Sequence, residues 1–234
     1  MQTLPKLELC LCIVFTYIMY RSRIPAFAKF FLPRIICRIP QADFGGEGNG
    51  KKTVYLTFDD GPIPETTPYI LDTLKKYGVK ATFFCVGENV KKHPELYRRI
   101  LEEGHFTGNH TFNHLKGWET SLKKYLENIN LCAEYVPSNL FRPPYGKMTP
   151  RQYHALKKRF HLIFWDVLVP DFDSKSSTRK CLDIIKKKTR AGSILVFHDN
   201  LKAKNKLTDL LPGFLDFAIR EKFDIQTVTN NISQ

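Results

Sequence analysis

Val54-Tyr55-Leu56-Thr57-Phe58-Asp59-Asp60-Gly61-Pro62 is the stretch from which the architecture of this chain can be read. The β-prone run Val54 to Phe58 leads straight into two adjacent carboxylates and a Gly-Pro turn. Aromatic and β-branched residues favour an extended backbone, and Gly and Pro end it. Ile70, Leu71, Leu74 and Tyr77 then recur at helical spacing until Gly78 stops them. The unit is a strand, a chemically loaded strand end, and a helix.

The same unit repeats outward from there. Ala81 to Val86 reads as a strand, followed by a helix carrying Val90, Leu96, Ile100 and Leu101 and closed by Gly104. A short strand runs into Gly108 and Asn109, Leu122, Tyr125, Leu126 and Ile129 mark a helix, and Leu140-Phe141 is a short strand. Thr149-Pro150 has the form of an N-cap with Pro at the first helical position, opening a helix to about Phe160. His161 to Val167 reads as a strand, Thr178 to Lys188 as a helix and Ser193 to Phe197 as a strand. A helix near Leu207 to Arg220 and a strand near Asp224 to Val228 follow. Strands separated by helices imply parallel pairing, because antiparallel neighbours need only a tight turn. A barrel and an open doubly wound sheet both fit, and in either the ligand gathers at the carboxyl ends of the strands.

The 234 residues, 43% of them hydrophobic, suffice for one substantial core and exclude a disordered, collagen-like or coiled-coil chain. The net charge is +13, and the stretch from Gly146 to Lys206 holds 15 basic against five acidic residues. They fall in short runs such as Lys157, Lys158, Arg159 and Lys186, Lys187, Lys188, as on solvated helix faces. No basic stripe interleaved with aromatics is present, so no nucleic-acid partner is expected. Six scattered cysteines without metal-ligand spacing read as small hydrophobes rather than a disulfide framework.

Residues 1–50 form an apolar and basic leading segment ending in a Gly-rich linker, ahead of a single domain over 51–234. Leu9 to Tyr20 would span about 18 Å as a helix, short of a hydrocarbon core of about 30 Å. Arg21 and Arg23 directly after it argue against an export signal, so a cytoplasmic or membrane-associated position is expected. Ile24 to Pro40 mixes Phe27, Phe30, Phe31, Leu32, Ile35 and Ile36 with basic residues. It reads equally as a membrane-surface segment and as a lid on the domain.

Chemistry-bearing residues follow the strands. Asp59 and Asp60 end the first, where two carboxylates are costly unless a cation or an arginine shares the space. His110 and His114, four apart, could face one way on a helical turn and suit one metal ion. Arg142-Pro143-Pro144-Tyr145-Gly146 leaves the Tyr145 amide free to point at a ligand while Arg142 can hold a carboxylate. Trp165-Asp166 and Asp171-Phe172-Asp173 follow the fifth strand, and His198-Asp199 the sixth.

In these five places the sequence resembles the polysaccharide deacetylases of carbohydrate esterase family four, which share the NodB homology domain. The resemblance runs from about Lys51 to Thr229. Thr57 to Pro62, the His110/His114 pair, Arg142 to Gly146, Asp171, and Leu195 to Asp199 match the family's ordered motifs. Phe172 departs from the usual tryptophan and alters one wall of the acyl pocket. The resemblance implies an irregular parallel (β/α) barrel of about seven strands and one divalent ion, zinc above all, with cobalt, nickel or iron also accepted. It implies Asp60, His110 and His114 as metal ligands, Asp59 as general base fixed by Arg142, and His198 as general acid oriented by Asp171. Tyr145 would hold the oxyanion through its amide, and Pro144 and Phe172 would line the substrate site. Trp118, just beyond the second motif, is a candidate to flank the groove and stack on a sugar ring, although a packed loop aromatic is the plainer reading of it. The expected activity is removal of N-acetyl groups from a glycan of the N-acetylglucosamine type. An O-acetyl glycan esterase and a carbohydrate-binding module without catalysis are the alternatives.

Overall fold

The computed structural model describes residues 33–40 and 52–229. The apolar run Leu9 to Tyr20 and the linker before residue 52 lie outside the described residues. Among the described residues no helix is long and apolar enough to cross a membrane.

Nine strands are present among the described residues: β1 (Ile35–Ile36), β2 (Lys52–Asp59), β3 (Thr82–Cys85), β4 (Phe106–Asn109), β5 (Leu140–Phe141), β6 (His161–Ile163), β7 (Val167–Leu168), β8 (Ile194–His198) and β9 (Phe223–Gln226). Every strand pair is parallel. The order is β1-β6-β5-β4-β3-β2-β8-β7, and β9 pairs with the first half of β2. Between them run α1 (Thr67–Tyr77), α2 (Gly87–Lys92), α3 (Pro94–Glu102), α4 (Leu122–Tyr135), α5 (Pro150–Leu156), α6 (Thr178–Lys188) and α7 (Lys204–Arg220). The sheet curls into an irregular open barrel with its helices outside, the α/β class expected from the sequence.

Two readings need correction. The single strand expected over 161–167 is divided: β6 pairs with β5 and β1, whereas β7 pairs with β8. Phe164 and Asp166 mark the crossing, their amides bonding to the carbonyls of Ile36 and Ile194. The helix expected from Val90 to Leu101 is also two, because Pro94 excludes His93 from the helical region and leaves it at φ −131°, ψ 58°.

The sheet draws β1 from the leading segment. Beyond β1, Arg38 forms an antiparallel bridge with Ser193, and the Ile39 amide bonds to the Gly192 carbonyl at 3.0 Å. This segment closes the gap between β6 and the start of β8. Ile35 and Cys37 are buried with Leu162, Phe164, Trp165 and Val196.

Alternation along β2 builds the layers. Val54, Leu56 and Phe58 meet Ile70, Leu71 and Leu74 of α1 and Leu207, Leu211 and Phe214 of α7. Inside the barrel Phe84, Leu140, Ile163, Ile194 and Val228 form a separate apolar plug. The Arg142 guanidinium lies 4.0 Å from the centre of the Phe84 ring, where this plug gives way to polar groups. The interior is thus apolar below Arg142 and polar where Asp59 and His198 end their strands.

Candidate active site

The register of β2 brings Asp59 opposite both Phe84 of β3 and His198 of β8. Asp59 is buried and accepts a hydrogen bond from the Arg142 guanidinium at 2.6 Å. Arg142 is fully buried and also donates to the Thr57 hydroxyl and to the carbonyls of Ile163 and Phe164. Burial pushes the guanidinium pKa down, against the pull of the Asp59 charge. Breaking a buried pair of this kind by removing one partner costs about 3–5 kcal/mol.

Asp60 occupies the left-handed region at φ 83°. Its amide bonds to the Phe84 carbonyl at 3.2 Å and its carbonyl accepts from the Asn89 side chain at 2.8 Å. Oδ1 faces Nε2 of His114 at 3.0 Å and Nε2 of His110 at 3.5 Å. Burial favours the neutral carboxyl, but hydrogen bonds from the two imidazoles and the charge of His198 outweigh it and hold the pKa well below the usual carboxylate range.

The two histidines do not share a helical turn. They sit on an irregular loop after β4 in which Thr111 and His114 have φ of 64° and 55°. The loop is docked on the start of α2, where the amides of Gly87 and Glu88 bond to the carbonyls of Thr111 and Phe112. A Cβ on Gly87 would lie 2.7 Å from the Phe112 ring, so only glycine permits this approach. His110 bonds through Nδ1 to the Arg142 carbonyl at 2.7 Å, which makes that nitrogen the donor and fixes Nε2 on the Asp60 side, where it donates to the carboxylate when it carries a proton and offers a lone pair to a metal when it does not. One ligand atom from each of Asp60, His110 and His114 lies within 4.8 Å of the others, a two-nitrogen, one-oxygen set that fits a divalent transition metal with open positions.

Across the cleft, His198 bonds through Nδ1 to Asp171 at 2.7 Å, and its amide bonds to the other Asp171 oxygen at 2.8 Å. Burial disfavours the imidazolium, but the charge and hydrogen bond of Asp171, with the charges of Asp60 and Asp59, lift the pKa from 6.5 to about 9. Phe172 stands edge-on to the imidazole, ring centres 4.6 Å apart. Tyr145, at φ 60°, is the middle residue of a short turn over Pro144–Gly146 whose backbone bonds are made by the amides of Gly146 and Lys147. Its exposed ring meets the edge of His114.

These groups line a cleft of about 620 Å³ that includes Asp59, Asp60, His110, His114, Tyr145, Phe172 and His198. Arg142 and Asp171 stand behind it. Pro144 is buried and does not reach the cleft wall, contrary to the expectation that it would line it, and Trp118 is not among the cleft residues but bonds through its indole to the Met148 carbonyl as a packed loop aromatic. Asp166 and Asp173 serve local structure: Asp166 takes Arg190 and Ser193, and Asp173 takes the Lys175 amide and Ser176 hydroxyl.

Two polar residues escaped the sequence reading, Asn89 and Asn200, and a third, Asp199, was named there without a role. Asn89 and Asn200 each donate to Asp60, and both line the cleft. Asp199 is fully buried between the hydroxyls of Thr66 and Thr67, and burial, opposed by those hydroxyls, lifts its pKa to about 7. Neither the helical Asn89 nor the loop Asn200 carries a sequence signal of this kind; the only pointer was the position of Asp199 and Asn200 directly after His198.

Comparison with known proteins gives the same result from a different direction. A peptidoglycan-N-acetylglucosamine deacetylase of Bacillus cereus is 42% identical over 142 residues, 57% of this chain and 51% of that protein. A second, from the same organism, is 30% identical over 188 residues, 77% of this chain and 88% of that protein. The chain thus spans about half the length of the first relative and most of the second. The crystal structure of the Bc1960 peptidoglycan N-acetylglucosamine deacetylase, in complex with a naphthalenyl-N-oxidanyl-benzamide, superposes with a TM-score of 0.74 at 26% identity, covering 87% of this chain and 94% of that one. Residues 46–162 match the family model for polysaccharide deacetylase, and with the second relative aligned over most of its length, the chain belongs to the polysaccharide deacetylase family.

Proposed function

We propose that the chain is a metal-dependent hydrolase that removes N-acetyl groups from a glycan of the N-acetylglucosamine type. The observation that carries this is the placing of a two-histidine, one-carboxylate cluster between two separately oriented proton-handling pairs, Asp59–Arg142 and His198–Asp171, in one cleft. A divalent ion there, zinc first and cobalt, nickel or iron by the same donors, supplies Lewis-acid polarisation of the acyl carbonyl and a more acidic water. Asp59 takes the proton of the attacking water, and Arg142 holds that carboxylate in place. The Tyr145 amide donates to the oxygen on which charge develops. An amide nitrogen leaves only when protonated, and His198, charged at neutral pH and held by Asp171, delivers that proton. Phe172 and the neighbouring apolar wall receive the acyl methyl.

The names of the two Bacillus cereus relatives favour an N-acetyl substrate over an O-acetyl ester. Acetate release should be measured on N-acetylglucosamine oligomers, peptidoglycan and acetylated xylan, with Asp59→Asn as the blank. The expected result is release from the N-acetylated glycans, its loss on chelation, and a fall of at least about 100-fold in Asp59→Asn with bound metal retained. Release confined to acetylated xylan would establish the esterase alternative, and release that survives chelation would overturn the metal assignment.

A further inference from the structure

Asp60 has two carboxylate oxygens, and they are treated differently. Oδ1 faces the imidazoles of His110 and His114, while Oδ2 accepts a hydrogen bond from Nδ2 of Asn200 at 2.6 Å. The orientation of that amide is itself fixed. Oδ1 of Asn200 accepts from the Ala203 amide at 3.0 Å, one residue before α7 begins, so its NH₂ must turn toward Asp60. The backbone of Asp60 is bound at both ends, by the Phe84 carbonyl and the Asn89 side chain, in a left-handed conformation that aspartate tolerates better than most side chains and that these two bonds hold. Asn200 in turn follows Asp199, whose amide bonds to the Asp59 carbonyl at 2.7 Å and whose carboxyl is clasped by Thr66 and Thr67.

We infer that Asn200 is a positioning residue that holds Asp60 with Oδ1 turned to the His110/His114 pair, the orientation in which the three side chains would hold one metal ion. The inference rests on the metal reading of the cluster. By donating to Oδ2, Asn200 fixes the orientation of the carboxylate and keeps Oδ1 on the side of the two histidines. Loss of a hydrogen-bond partner behind a metal ligand characteristically weakens metal binding by about 10–100-fold.

The test is metal affinity, read by competition of Zn²⁺ and Co²⁺ between the protein and a chelator, with no substrate present. Asn200→Ser keeps an oxygen able to accept the Ala203 amide and is too short to reach Asp60. Asn200→Ala loses both contacts. The expected result is one equivalent bound by the parent protein, with binding about 10–100-fold weaker in both variants and an unchanged unfolding midpoint of the metal-free Asn200→Ser protein. Parent-like affinity in Asn200→Ser overturns the inference while leaving the metal reading intact, and if Asn200→Ala is then weak, the residue acts only through the start of α7. A parent protein that binds neither ion overturns the metal reading and the inference with it.

Discussion

At the scale of single residues, the cleft separates charges that would otherwise compete. Asp59 and Asp60 are neighbours in sequence, yet one is given to Arg142 and the other to two histidines. His198 carries the testable pH dependence. Its folded-state pKa is raised, so its charged form stabilises the fold fully below pH 6.5, and that contribution is lost as pH rises through about 9. Urea unfolding of the chelator-treated protein should show a stability gap between parent and His198→Gln that is constant in mild acid and closes above that upper value. A gap independent of pH would remove His198 from the charged pair with Asp171. The identities of these residues were legible in the sequence because each follows a strand. The left-handed turns at Asp60, Thr111 and His114 were not, since nothing in those side chains announces them and the neighbouring loops impose them.

At the scale of elements, periodicity sufficed where an element owes its form to its own residues. Helix α6 begins at Ser177, whose hydroxyl accepts the Lys180 amide, and α5 begins with the Thr149–Gln152 capping box, both at the expected positions. Strand β1 was not expected, because two isoleucines in an aromatic and basic stretch become a strand only when β6 offers a backbone. The turn between β2 and α1 is the element on which the cleft depends most tightly. A Cβ on Gly61 would fall 2.0 Å from an Asp199 oxygen, so neither can yield without moving Asp60 or Asn200. Gly61→Ala should lower stability by about 1–3 kcal/mol, as overpacked interiors do, and should also weaken metal binding. The urea midpoint and the chelator competition read these two effects, and an alanine variant with parent values in both would show that the turn has room to spare.

At the scale of the whole molecule, the curled sheet is completed by a segment remote from its partners in sequence. Ile35 and Cys37 are buried, and burial of a side chain the size of Ile35 alone is worth about 1.5–3 kcal/mol. Against a total stability of about 5–15 kcal/mol, that is a large fraction. A chain starting at residue 41 should therefore melt many degrees lower and lose amide protection at Phe164, whose partner is the Ile36 carbonyl. Thermal unfolding and hydrogen exchange measure both, and unchanged melting would mean that the segment rests on the fold without supporting it. The same topology has a consequence for synthesis on the ribosome. Asp59, Asp60, His110 and His114 emerge early, whereas Asp171, His198 and Asn200 come from the last third of the chain, as does β8, the long neighbour of β2. No nascent fragment ending before Ile194 holds the complete cleft, and until then β2 presents an unpaired edge that invites association with other chains.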